Sequence, residues 1–170
     1  MNVYLAFGTG AYLQKMKEQH SDLKKLFLLF SSGSSVLLHE TEAKSFFSTG
    51  KAFEVIDAAG GYEDAGFAVM NNIPVQRDER AVFESRFKER AGLVEKEPGC
   101  KGIRILRPKD DDTYVVLTLW KKKKDFENWQ ESDSYKEAHK NRNTSNGLPS
   151  TVFSGKPYIR TYFISDDEEV

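Results

Sequence analysis

Cysteine is almost absent, with Cys100 the single example in 170 residues. An intrachain disulfide is therefore impossible, and so is a zinc site built on several thiolates. A surplus of either charge is missing too. Lys and Arg number 25 against 26 Asp and Glu, a formal net charge of -1, whereas a protein that grips nucleic acid by neutralising phosphates carries a basic excess. No nucleic-acid partner is expected. Long apolar runs are lacking: the uncharged stretch from Leu26 to Val36 is broken by Ser31-Ser32-Gly33-Ser34-Ser35. Nothing is built to span a bilayer, and no membrane partner is expected. The opening Met1-Asn2-Val3-Tyr4-Leu5-Ala6-Phe7 is too short and too uncharged at its start for a secretory signal. These absences predict a reducing, cytoplasmic setting. What is present suits a folded core, because 39% hydrophobic and 12% aromatic residues exclude a disordered chain.

The first third reads as short strands with one helix. Val3 to Phe7 is a strand, Ala11 to His20 a helix, and Leu26 to Phe30 with Val36 to His39 a hairpin across the Ser/Gly turn. Ala52 to Ile56 is either a strand or a helical turn. Gly60-Gly61 breaks the pattern, and Tyr62-Glu63-Asp64-Ala65-Gly66 reads as a linker. From Phe67 the pattern is more regular. A strand runs to Val75, and a helix capped by Asp78 runs to Glu97 with Phe83, Phe87, Ala91 and Val94 on one face. Strands over Gly102 to Leu106 and Thr113 to Trp120 follow, then helical segments over Asp125 to Gln130 and Ser134 to Lys140. A loop over Asn143 to Pro157 and a strand over Tyr158 to Ser165 complete the order. The fold class expected is α+β: a ferredoxin-like antiparallel sheet with helices on one face. No repeat is visible in the sequence, although the first third has the features of a degenerate copy of the same unit.

Two places carry candidate chemistry. Phe67, Val69, Asn71, Ile73 and Val75 share one face of a strand, so Asn71 is the lone polar residue on an apolar face. An amide buried there without partners costs roughly 1–3 kcal/mol. It either pins a neighbouring loop through the backbone or is aimed at a ligand. The second place is the segment from Asp125 to His139. Phe126 and Trp129 are three apart and can both face the sheet, while Tyr135 and His139 share the next helical face. Singly, Trp129 reads as core and His139 as a solvated residue. Gly8-Thr9-Gly10 reads as a tight turn, because Leu13 stands where a dinucleotide fingerprint wants glycine. Lys121 to Lys124 reads as a solvated turn, and a metal site at His20 or His39 is not expected.

Several short motifs share one pattern. They are Asn71 in its strand, Arg86-Phe87, Glu97-Pro98-Gly99, Leu106-Arg107-Pro108, Thr118-Leu119-Trp120, the run ending at Trp129, and Lys136-Glu137-Ala138-His139. On these motifs the stretch from Phe67 resembles the antibiotic biosynthesis monooxygenase (ABM) superfamily, and within it the IsdG-type heme-degrading monooxygenases. An Asn, and a Trp and His ten positions apart, resemble the signature of that branch; Trp129 and His139 have this spacing. The whole chain is most similar to the longer two-domain HmoB-like type. The resemblance implies an ABM domain over 65–170 behind a small α+β N-terminal domain over 1–64. Heme is then both substrate and cofactor, used with O2 and an external reductant delivered by a partner such as a reductase. His139 is implied as the axial ligand of the heme iron, Trp129 as the group pressing on the porphyrin face, and Asn71 as the distal donor. Phe87 would line the pocket and Arg86 would pair a propionate. ABM sheets commonly close into a barrel between two subunits. Here the first 64 residues can take the second subunit's place, which favours a monomer over a homodimer. A non-catalytic heme-binding or TRAP-like regulator is the alternative. A cofactor-free oxygenase of aromatic polyketides would leave His139 without a task.

Overall fold

The computed structural model of the protein describes residues 1–88, 94–133, 135 and 150–164. The strands are β1 (Asn2–Gly8), β2 (Leu26–Phe30), β3 (Ser35–Thr41), β4 (Lys51–Gly60), β5 (Phe67–Pro74), β6 (Cys100–Pro108), β7 (Thr113–Trp120) and β8 (Tyr158–Ile164). The helices are α1 (Gly10–Gln19), α2 (Arg80–Lys88) and α3 (Lys123–Gln130). Thr9 starts α1, its hydroxyl accepting from the Tyr12 amide at 3.2 Å, so Gly8-Thr9-Gly10 is the expected turn. β4 resolves the ambiguity over Ala52 to Ile56 as a strand. Asp78 does not cap a helix; it lies in a 3₁₀ turn over Arg77–Glu79 that leads into α2. The helices expected over 89–93 and over 134 and 136–140, the loop up to residue 149 and the residues after Ile164 lie outside the described residues.

The antiparallel strands form a closed barrel in the order β1-β3-β2-β8-β5-β7-β6-β4, with the first four strands in the place that the resemblance gives to a second subunit. An open sheet leaves two edges of unpaired amides and carbonyls. Both edges of the later half are taken up, β6 by β4 and β8 by β2. The division near residue 64 falls between β4 and β5. The first four strands lie in the order β4-β1-β3-β2, and the last four, β8-β5-β7-β6, have the same internal order. The first third is thus a structural counterpart of the ferredoxin-like unit that follows. Its second helix is missing, since residues 42–50 form no helix. Phe46 and Phe47 from that segment pack on the α1 layer instead.

Side-chain alternation sends each strand's residues to two cores. Val3, Leu38, Phe53, Met70, Leu106 and Leu117 fill the barrel. Layers under the helices hold Phe67, Ile105 and Trp120, and Ile73, Phe83 and Tyr114. The barrel interior also contains charge. Glu40 and Arg104 are buried, with Arg104 Nε donating to Glu40 Oε1 at 2.8 Å. Arg104 Nη1 also donates to the carbonyls of Ala59, Gly60 and Ile103. Tyr62, expected in a linker, is buried: its hydroxyl donates to Glu40 at 3.0 Å and its ring stacks on Phe27 at 4.5 Å. Burial, with the Glu40 carboxylate next, raises the phenol above its ordinary value. Gly60, with φ +62, allows this; a Cβ there would meet the Lys101 carbonyl at 2.2 Å.

His39 and Glu40 face opposite ways, as strand neighbours must. His39 lies under Phe46, ring centroids 5.8 Å apart, while His20 stacks on the same ring at 3.8 Å. The His39 Nδ1 is buried and has no hydrogen-bond partner among the described residues. Burial lowers its pKa from 6.5, and repulsion from His20 adds to the effect. The folded state therefore binds this proton more weakly than the unfolded chain. Stability is full above the unfolded value and falls as pH drops below it. Urea midpoints should decline from pH 7 to 5, and His39→Gln should flatten that decline; equal slopes would clear His39 of the effect.

Candidate functional site

β5 positions Asn71. Its register sets Asn71 opposite Val116 of β7 on one side and Ile159 of β8 on the other. Val69 and Ile73, on the same face, belong to the two helix-covered layers, so Asn71 sits where those layers meet. It is half-buried, and its side chain makes no hydrogen bond among the described residues. Asn72 points the other way and is satisfied by the carbonyls of Met70 at 3.2 Å and Tyr158 at 3.4 Å. On the β8 flank the outward side chains of Ile159, Thr161 and Phe163 are exposed. Asn71 therefore borders covered apolar surface on one side and open surface on the other.

α2 carries Phe87 and Arg86. Phe83 is buried with its ring 4.7 Å from that of Tyr114. Next to it, Glu84 ties the helix to the sheet. Arg107 Nε donates to it at 2.9 Å, and the Tyr114 hydroxyl donates to the same carboxylate. The Arg107 hydrogen bond holds the Glu84 carboxyl below its usual value, and burial with the Glu84 hydrogen bond pushes the Tyr114 phenol up. One turn after Phe83, Phe87 packs against both outer layers together with Val116 and Ile56. Arg86 is half-buried and has an interaction partner.

α3 carries Trp129. Phe126 is buried, and Trp129, three residues on, packs beside it with ring centroids 6.1 Å apart. The two rings turn toward the sheet, as their spacing predicts. Trp129 lies 5.6 Å from Trp120 at 33° and meets Tyr135 edge-on at 4.8 Å and 84°. Gly99 lets the chain pass close to α3: with φ +83, a Cβ there would meet Asp125 at 2.3 Å.

Phe87 and Trp129 thus border the apolar layer that begins at Val69, beside Asn71. His139 lies outside the described residues. Sequence reasoning missed Thr118 as a partner of the site. It is a buried polar residue that accepts from the Trp120 indole at 3.0 Å; the signal was its position two residues before Trp120, which shares its face. Cys100 is half-buried, and burial pushes its thiol up to about 11, so it stays protonated and is no nucleophile. Lys121 to Lys124 are exposed, without an ion pair among the described residues. Those residues also contain no group of three or more His, Cys, Asp or Glu suited to a metal ion, and no helix long and apolar enough to cross a membrane.

Some comparisons with known proteins match part of the chain and others nearly all of it. The family model for antibiotic biosynthesis monooxygenase matches residues 66–141. The heme oxygenase (staphylobilin-producing) of Staphylococcus haemolyticus is 33% identical over 93 residues, covering 53% of this chain and 88% of that protein. The signal transduction protein TRAP of Staphylococcus epidermidis is 26% identical over 163 residues, covering 96% of this chain and 94% of that protein. Among solved structures, that of a major regulator of staphylococcal pathogenesis superposes with a TM-score of 0.81 at 23% identity, over 96% of this chain and 98% of that one.

Proposed function

Because the chain belongs to the antibiotic biosynthesis monooxygenase family, we propose that it is a heme-degrading monooxygenase whose site lies between α2, α3 and the outer face of β5 and β7. The observation that carries this reading is Asn71, a half-buried amide without a hydrogen bond among the described residues on an otherwise apolar face. A polar group kept unpartnered beside Phe87, Val116 and Trp129 suits a flat apolar guest that brings its own acceptor. Heme, as the substrate, would supply the iron centre at which O2 is activated with electrons from an external reductant, the ring opening to a linear tetrapyrrole with release of iron.

The residues of this chain divide the remaining work. His139 would hold the iron as neutral imidazole, and Trp129 would bear on the face of the macrocycle and distort it. Asn71 would donate its amide hydrogen on the distal side. Phe87 would line the slot, and Arg86 would pair a propionate. A barrel closed by the strands of one chain supports a monomer. The reducing setting expected from the composition supports a cytoplasmic location with a reductase as electron donor.

A second reading has its own support: the TRAP relative matches nearly the full chain, which favours a non-catalytic heme-binding or signalling role. A hemin titration separates the two. Purified protein should shift the Soret band of hemin, and the band should fade when a reductant is added with catalase present. Stable binding without bleaching under any reductant would favour the regulatory reading, and no binding would end both heme readings.

A further inference from the structure

Trp120 is fully buried in the outer layer at the end of β7. An indole N–H shut away from water must find an acceptor. Here it donates to the Thr118 hydroxyl at 3.0 Å. Residues two apart on a strand face the same way, so the acceptor sits on the same rigid strand as the indole and leaves it one favoured plane. Phe126 closes the other side, its ring 5.6 Å from Trp120 at 62°.

Trp129 takes its orientation from this pair. Its ring lies 5.6 Å from Trp120 at 33°, and Tyr135 braces its far side edge-on. Of the described rings that touch Trp129, Phe126 precedes it and Tyr135 follows it on the same stretch of chain. Trp120 alone belongs to the sheet that carries Asn71. From this geometry we infer that Thr118 is a positioning residue: its hydroxyl fixes the plane of Trp120, which fixes the plane of Trp129 relative to Asn71. For the site this rests on the heme-degrading reading, because the angle at which Trp129 meets the guest would then be set from β7.

The test compares Thr118→Val, which keeps the shape and removes the acceptor, with Thr118→Ser, which keeps the hydroxyl. The chain has two tryptophans, so an exciton couplet in the circular dichroism of the ligand-free protein reports the Trp120–Trp129 angle directly. T118V should change that couplet and T118S should restore it. With hemin added, T118V should slow bleaching by roughly tenfold to a hundredfold at unchanged hemin affinity, and T118S should recover the rate. In a Trp129→Phe background, T118V should have no further effect on bleaching.

An unaltered couplet in T118V would overturn the positioning role. An altered couplet with bleaching at the parental rate would overturn its bearing on the site. Should the parent protein neither bind nor bleach hemin, the functional reading fails, while the couplet still decides whether Thr118 orients the two indoles. If T118V does not fold, Thr118→Ala carries the same comparison.

Discussion

Asn71→Ala is expected to bind hemin as the parent does and to lose bleaching by roughly 10²–10³-fold, the loss found when one donor aimed at developing charge is removed. Affinity should survive because the apolar surfaces of Phe87 and Trp129 and an axial imidazole at His139 would hold the guest without the amide. Stability should also survive, since Asn71 is half-buried and its side chain makes no hydrogen bond among the described residues to lose. The measurement is the rate of Soret decay at saturating hemin with a fixed reductant and catalase. Asn71→Asp sharpens it: a carboxylate matches the shape but cannot donate, and its negative charge would repel oxygen carrying developing charge. Parental rates in the alanine variant would remove Asn71 from the chemistry, even if hemin binds.

The second large effect concerns folding. Glu40→Gln should destabilise the protein by about 3–5 kcal/mol, because it leaves Arg104 as an uncompensated buried charge; Arg104→Met should cost less, since Lys25 Nζ lies 3.6 Å from the other Glu40 oxygen. Both side chains are nearly inaccessible, Glu40 at 4% and Arg104 at 6% exposure. The loss spreads beyond the pair. Tyr62 donates to the same carboxylate, and Arg104 closes three carbonyls at the end of β4 and start of β6. Replacing both charges together, as Glu40→Leu with Arg104→Met, should recover much of the loss, since apolar pairs of similar volume often match a buried ion pair. Urea unfolding of the two single variants and the double variant reads this directly. A Glu40→Gln variant within about 1 kcal/mol of the parent would mean that water reaches the pair.

What could be read beforehand followed the range of the forces involved. The alternation of β5 placed Asn71 on the helix-covered face, because burial on one side imposes a period of two within a single strand. The spacing of Phe126 and Trp129 likewise turned both rings toward the sheet. Closure of the barrel was less legible. It depends on pairs such as Leu29 with Ile164 and Phe53 with Pro108, whose partners are far apart in sequence, and no local pattern specifies them. Tyr62 was misread because its neighbours, Gly60-Gly61 before it and Glu63-Asp64-Ala65-Gly66 after it, are turn residues. The burial of its ring is decided by Phe27 and Glu40 from another part of the chain. The burial of Glu40 was not legible for the same reason: Arg104, its partner, lies on β6. The helix before Phe83 begins later than its Asp78 signal because a 3₁₀ turn takes up that residue. For the proposed site, the sequence placed Asn71 and Trp129 on sheet-facing positions but not the groups that brace them, since the contact between Trp120 and Trp129 arises only once α3 folds back over β7.

The two seams that close the barrel are unequal. Among the described residues, β4 and β6 are zipped along most of their length, whereas β2 meets β8 through two residue pairs, Leu29 with Ile164 and Phe30 with Phe163. Of the two seams, the one between β2 and β8 should therefore breathe first, with the amides of Leu29 and Phe30 exchanging with solvent before those of the β4–β6 seam. β8 would part from β2 while still bound along its other flank to β5, so the strand bearing Asn71 would keep its register throughout such an opening.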